Sequence, residues 1–361
     1  MRDAKEARII THSAQSGLCR VCMPVWSQSF DSAVKLALPK LMLVPLPTPA
    51  TPRESATEGG ASTRRSPRES SATAAQGIVP HDLAGTLEPR SLCYGVPTGP
   101  GWADCAFLTE PGGVTRSLAR IARSHPGASP EVAASYLANW YSAAVVAPAV
   151  ASYMLLRRVP DLNPARMSLR ELDSGWYDRT ALHGPAGTVL ADARAVAGGA
   201  HPARPPDEPA RPPDEGADRV VGDLAALRGV LVDEILTHLG PFVRELRGRV
   251  RLGYPALWGA VAAQCARAFL LTERATGDPD AGRDEADAFF ERAAPTMRAR
   301  PRWHEFVHRG RPYTGMRCGS CCLAHRLGDE YCTTCPFTDD IERERRMRAW
   351  IDTQGHGALA V

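Results

Sequence analysis

Residues 129–156 read SPEVAASYLANWYSAAVVAPAVASYMLL. Ser129, Pro130 and Glu131 make a helix start: a side chain that can cap, a proline at the first helical position and an acid at the positive end. Behind them apolar residues dominate as far as Leu156, so the segment predicts a buried core helix, kinked or broken before Pro148 because proline removes a backbone donor. The most apolar part, 143–156, contains Pro148 and Ser152 and falls short of the roughly 20 residues needed to span a bilayer.

The neighbouring segments supply what a buried helix needs around it. Residues 167–172 and 176–183 are two short alternating runs on either side of Asp173-Ser174-Gly175, which predicts a β-hairpin. Val220 to Leu239 places Leu224, Leu227, Val230, Leu231, Ile235 and Leu239 near helical spacing, with Gly240-Pro241 expected to stop the helix and Phe242 to Arg251 to add another turn or two. Tyr254 to about Glu273 is apolar on more than one side, as a helix buried in a core should be. A last helix is expected over Asp284 to Arg300, interrupted at Pro295. The fold class predicted is mainly α with a small β-hairpin element (α+β): a compact helical domain over 85–300 and a C-terminal cysteine-rich segment over 301–350. The alternating strand and helix pattern of a doubly wound sheet is missing, as are the G-x-G-x-x-G and G-x-x-x-x-G-K-[ST] loops, so no internal flavin or nicotinamide site is indicated.

Two biased stretches stand apart. Residues 1–80 are rich in Pro, Ser, Thr and Ala and carry Pro-Arg-Glu-Ser twice, at 52–55 and 67–70. They are expected to be a disordered N-terminal extension, or sequence ahead of a true start, because such a composition buries too little apolar surface to offset the entropy of ordering. Residues 198–216 contain Ala-Arg-Pro-Pro-Asp-Glu at 203–208 and again at 210–215, which reads as a duplicated surface-loop insertion. With 361 residues and 44% hydrophobic content the remainder is ample for a core. Lys+Arg 43 against Asp+Glu 40 is too even for wholesale nucleic-acid binding. The N-terminus lacks an unbroken apolar stretch of the kind a secretory signal carries, and the expected location is cytoplasmic.

Of ten cysteines, five crowd into Cys318-Gly-Ser-Cys321-Cys322-Leu-Ala-His325-Arg-Leu-Gly-Asp-Glu-Tyr331-Cys332-Thr-Thr-Cys335-Pro336. Clustering of this kind in a cytosolic protein favours metal over disulfides. Cys265, on an apolar helix, reads as a small core residue, and Cys19 with Cys22 as a chance C-x-x-C. Two registers are open. Cys318 with Cys321 gives C-x-x-C, ten residues, C-x-x-C, which suits tetrahedral zinc or a single iron. The vicinal pair Cys321-Cys322 gives C-C, nine residues, C-x-x-C, which spreads its sulfurs in a way that favours a cluster over one small ion.

The run Cys-Cys-Leu-Ala-His-Arg-Leu at 321–327, followed by Cys-Thr-Thr-Cys-Pro at 332–336, resembles the C-terminal signature of the FhuF-type ferric-siderophore reductases. Arg158-Val-Pro-Asp-Leu162 and Leu252-Gly-Tyr-Pro-Ala-Leu-Trp-Gly259 are similar to landmarks of that family, so the likeness covers roughly 130–340. It implies a [2Fe-2S] cluster ligated by Cys321, Cys322, Cys332 and Cys335, with Cys318 outside the set. It implies an oxidoreductase that delivers one electron to a ferric siderophore, hydroxamate or catecholate, and draws it from an external electron donor. A zinc-stapled binding module and a general electron-transfer protein with another acceptor are the rival readings. Arg317 and Arg326 flank the ligands and could favour thiolates; Arg247, Arg249 and Arg251 form a basic stretch that could meet an acidic complex, though a solvated face is the simpler reading. His325 is expected to pack near the site without ligating. Trp140, Tyr141, Tyr153 and Trp258 are expected in the core.

Overall fold

The computed structural model describes residues 92–192, 218–276 and 281–357. The expectations for 1–80, for 198–216 and for Cys19 with Cys22 lie outside those residues. Among the described residues there are six α-helices: α1 (Pro111–Ser124), α2 (Pro130–Leu156), α3 (Leu224–Arg249), α4 (Tyr254–Thr276), α5 (Ala281–Ala293) and α6 (Asp340–Gly357). The β content is larger than a single hairpin. Strands β1 (Leu92–Tyr94), β2 (Trp102–Asp104), β4 (Met167–Glu171) and β5 (Tyr177–Leu182) form one sheet in the order β1-β5-β4-β2. β3 (Arg158–Pro160), β6 (Gly187–Leu190) and β7 (Arg219–Val221) form a second, and β8 (Arg302–His308) with β9 (Arg311–Arg317) a third.

The predicted hairpin is β4 and β5, antiparallel from Met167 opposite Leu182, with Leu172 N–H donating to Trp176 O across a turn where Gly175 takes φ 84°. Flanking strands extend it: β1 runs parallel to β5 and β2 antiparallel to β4.

Helix α2 begins as its sequence requires, with Ser129 Oγ accepting from Val132 N–H and Pro130 at the first helical position. It is not broken at Pro148. The ring leaves Ala144 O without its partner four residues on, and Thr180 Oγ1, reaching across from β5, donates to that oxygen at 2.8 Å. A tertiary contact thus replaces the missing local bond and the helix continues to Leu156.

Gly240-Pro241 does not stop α3 either, and Val220 belongs to β7 rather than to the helix. Leu239, Phe242, Val243 and Leu246 are all fully buried on either side of the proline, so packing outweighs a local breaker signal. In α5 the reverse holds: the helix ends at Ala293, two residues before Pro295, and does not resume to Arg300.

Helices α2 and α4 lie against each other through alanines and small residues, and a buried amide pair sits between them, Gln264 Nε2 donating to Asn139 Oδ1 at 3.0 Å. Cys265 is buried in the core, as are Trp140, Tyr141, Tyr153 and Trp258. Cys318, Cys322, Cys332 and Cys335 belong to the same continuous hydrophobic cluster as these helices. No helix among the described residues is long and apolar enough to cross a membrane.

Candidate metal centre

The cysteine segment is delivered by β9, whose two-residue turn from β8, Arg309-Gly310, has positive φ at both positions, the geometry that matches strand twist. Past Arg317 the chain passes so close to the lead-in of β8 that a Cβ on Gly319 would stand 2.0 Å from Ala299 O. Only glycine fits there. Ser320 Oγ then donates to Ala256 O at the start of α4, and Cys318 N–H donates to Thr334 O at 2.8 Å, drawing the second cysteine pair beside the first.

Directly after the vicinal pair, Leu323 adopts a left-handed conformation (φ 64°) and opens a short 3₁₀ turn, Ala324–Leu327. This reversal brings Leu323 N–H to 3.4 Å from Cys321 Sγ. The other loop closes on itself: Cys335 N–H and Thr338 Oγ1 both donate to Cys332 O.

Two guanidinium groups grip the loop from outside. Arg317 Nη2 donates to Pro336 O at 2.6 Å, and Arg343 Nη2 donates to Cys335 O and Thr338 O at 2.8 and 2.9 Å. Arg343 has 0% exposure although it lies in the charged run at the start of α6.

Cys322, Cys332 and Cys335 are buried and Cys321 is half-buried. The sulfurs form a chain of contacts in which Cys321 interacts with Cys322 and with Cys335, and Cys335 also with Cys332. Cys321 Sγ lies 3.8 Å from Cys335 Sγ. Hydrogen bonding with Cys322, then with Cys335, holds the Cys321 thiol far below the ordinary thiol range, aided by the Leu323 N–H and His325. The same proximity pushes Cys335 up to about 11, so the pair holds on to one proton and releases the other easily. Among the described residues no group of three or more His, Cys, Asp or Glu surrounds one point as the ligands of a single ion would.

The remaining sequence candidates fall into place around these thiols. His325 Nδ1 is 3.7 Å from Cys321 Sγ and its ring packs 4.9 Å from Tyr331, a neighbour of the sulfur. The charge of Arg326 acts on Glu131 at the start of α2. Arg249 is committed to holding α1, through Thr115 Oγ1 and Pro111 O, and pairs with Glu245 on its own helix. Sequence reasoning missed Arg343, because a run such as Glu-Arg-Glu-Arg-Arg reads as a solvated face and nothing in it marks which arginine turns inward. It also missed an open hollow of about 500 Å³ beside the thiols, lined by His325, Tyr331, Phe337, several carboxylates and Arg346.

The five cysteines that the two short loops gather, Cys318, Cys321, Cys322, Cys332 and Cys335, offer the soft sulfur donors that thiolate-ligated metal centres use. The FhuF 2Fe-2S C-terminal domain family matches the chain at residues 319–337, a stretch that begins one residue after Cys318 and contains Cys321, Cys322, Cys332 and Cys335. No curated protein sequence matches the chain. The family match implies a [2Fe-2S] cluster, and the residues present suit one. Cys321 and Cys335, from different loops, bring their sulfurs within 3.8 Å of each other, which puts soft donors from both loops in one place. The Leu323 N–H on Cys321 Sγ is the kind of hydrogen bond by which proteins adjust such centres.

Proposed function

We propose that this protein is a ferric-siderophore reductase in which Cys321, Cys322, Cys332 and Cys335 ligate the cluster. The observation that supports this ligand set is the span of the iron-sulfur family match, residues 319–337, which takes in these four cysteines and begins after Cys318, together with the 3.8 Å approach of the Cys321 and Cys335 sulfurs. When bound, the cluster accepts one electron and passes it on. Cys321 and Leu323 keep one edge of the site near the surface and hydrogen-bonded, while the buried Cys322, Cys332 and Cys335 keep the opposite side away from water. Arg317 and Arg343 fix the backbone of the second loop, so the sulfurs need not rearrange with each electron.

The substrate's chemistry completes the reading. Ferric ion is hard and is held tightly by the oxygens of hydroxamates and catecholates, whereas ferrous ion is held far less well, so one electron is enough to release the metal. No general acid or base is required. The electron comes from an external donor, and the reaction belongs in a compartment where thiols stay reduced.

Chemically reduced holoprotein, mixed anaerobically with a ferric hydroxamate or catecholate complex and a strong ferrous chelator, should yield one trapped ferrous ion per reduced centre. A holoprotein that stays reduced with several chemically distinct ferric siderophores would defeat this reading. Replacing each ligand by serine should abolish acid-labile sulfide and visible colour, whereas Cys318→Ser should retain both. Full loading in Cys322→Ser with loss in Cys318→Ser would instead select the other register, and a colourless protein containing zinc would mean a structural staple.

A further inference from the structure

The half-buried Cys321 is joined to solvent by a row of rings. His325 touches its sulfur, Tyr331 lies 4.9 Å beyond, and Phe337 a further 5.7 Å on. The rings of the row stand out of the surface, Tyr331 42% exposed and Phe337 64%, and four residues on in the chain Ile341, on the first turn of α6, is 81% exposed. Large apolar groups standing out next to a redox site are what another protein surface covers, since they exclude water from the contact.

The surrounding charge is predominantly negative. Asp329, Glu330, Asp339 and Glu342 line the hollow, and Arg346 is the cation among its lining residues. Arg346 pairs with Glu330 and Glu342, and Arg345 also pairs with Glu342, so these two arginines match two of the four carboxylates and the excess negative charge rests on Asp329 and Asp339. A negative rim around an apolar centre selects a partner with the opposite potential and repels one with its own.

We propose that this face docks the electron donor, a one-electron redox protein whose cofactor edge lies within a surface rich in lysine and arginine. The proposal rests on the reductase reading above and names its missing partner. One electron leaves the donor's reduced cofactor and enters the thiolate centre, oxidising the donor by one equivalent; no bond or proton moves with it. That electron then converts one bound ferric ion to ferrous. The ring row shortens the gap to be crossed, because packed side chains transmit an electron better than intervening water.

A c-type cytochrome whose haem edge is ringed by lysines serves as the probe, since docking is the same in either direction of transfer. Reduced holoprotein is mixed with the ferric cytochrome in a stopped-flow instrument. The second-order rate should fall about tenfold or more between roughly 20 and 200 mM salt, as expected for opposite charges. The double variant Glu330→Lys with Asp339→Lys, checked for iron content and colour, should react about tenfold more slowly at low salt and lose the salt dependence. Phe337→Ala should slow the reaction several-fold at every salt concentration. Single-turnover reduction of a ferric siderophore should stay within about twofold of wild type in these three substitutions. A wild-type rate that is flat or rises with salt overturns the proposal, as do variants that react like wild type. If the variants lose siderophore reduction as severely as cytochrome reduction, the face belongs to the siderophore and the assignment to a donor is wrong. If wild type reduces the cytochrome as predicted but no ferric siderophore, the reductase reading fails while the docking face stands.

Discussion

Arg343 is a single side chain on which the second cysteine loop depends. Its guanidinium bonds Cys335 O and Thr338 O with no exposure to solvent, while its ion-pair partner Asp340 stays well exposed. Arg343→Met should therefore free two carbonyls without stranding a buried carboxylate, costing about 2–4 kcal/mol in denaturant unfolding of the holoprotein. The same change removes a cation from beside the sulfurs, so the midpoint potential should fall, and Arg343→Lys should restore part of the shift. His238 makes the opposite arrangement, a buried base kept neutral. Leu162 O can only accept, so Nδ1 carries the proton and Nε2 accepts from Tyr141 OH at 2.7 Å. Burial lowers its pKa to about 4. Below about pH 6.5 the unfolded chain takes up a proton that the folded protein refuses until about pH 4, so stability drains away across that window, by roughly 3 kcal/mol. His238→Gln should flatten this part of a melting-temperature profile against pH, whatever its effect at neutral pH. At this scale the cysteines were legible because soft donors at short spacing have few other uses. Arg343 and His238 were not, because burial of a polar side chain is decided by residues far away in sequence.

Elements were legible where local chemistry and packing agree. The start of α2 and the β4–β5 hairpin follow from a cap, a proline and a glycine turn, whereas the continuity of α2 and α3 through proline does not. For α2 the reason can be tested. Thr180→Val keeps the shape of the side chain but leaves Ala144 O unpaired inside the core, and should cost about 1–3 kcal/mol. In a Pro148→Ala background the restored N–H can reach the same oxygen. The valine change should then cost much less, and an additive cycle would mean that Thr180 does not compensate for the proline. The β8–β9 hairpin is not legible although His308-Arg309-Gly310-Arg311 carries its turn, because Pro312 and Gly315 inside the second strand argue locally against a strand. That hairpin sets the direction in which Cys318 and Gly319 leave the strand.

Across the whole molecule, the thiol site shares its apolar surroundings with the helical core but is held mainly by short loops. Stripping the metal with a chelator should accordingly expose amides over 318–338 to hydrogen exchange while those of α2 and α4 stay protected. Uniform loss of protection would mean that the metal stabilises the entire fold. The overall class was visible in the sequence, since long apolar segments can only be covered by one another; β1 and β2 beside the hairpin and the whole β3-β6-β7 sheet were not, because strands of three or four residues leave almost no periodic signal. The pairing of α2 with α4 has a further consequence for how the protein is made. A ribosome releases α2 roughly a hundred residues before α4, so at about 5–20 residues per second the most apolar helix waits roughly 5 to 20 seconds for its main neighbour. During that interval it is a natural client for chaperones, and refolding of the purified chain should give yields that fall as its concentration rises.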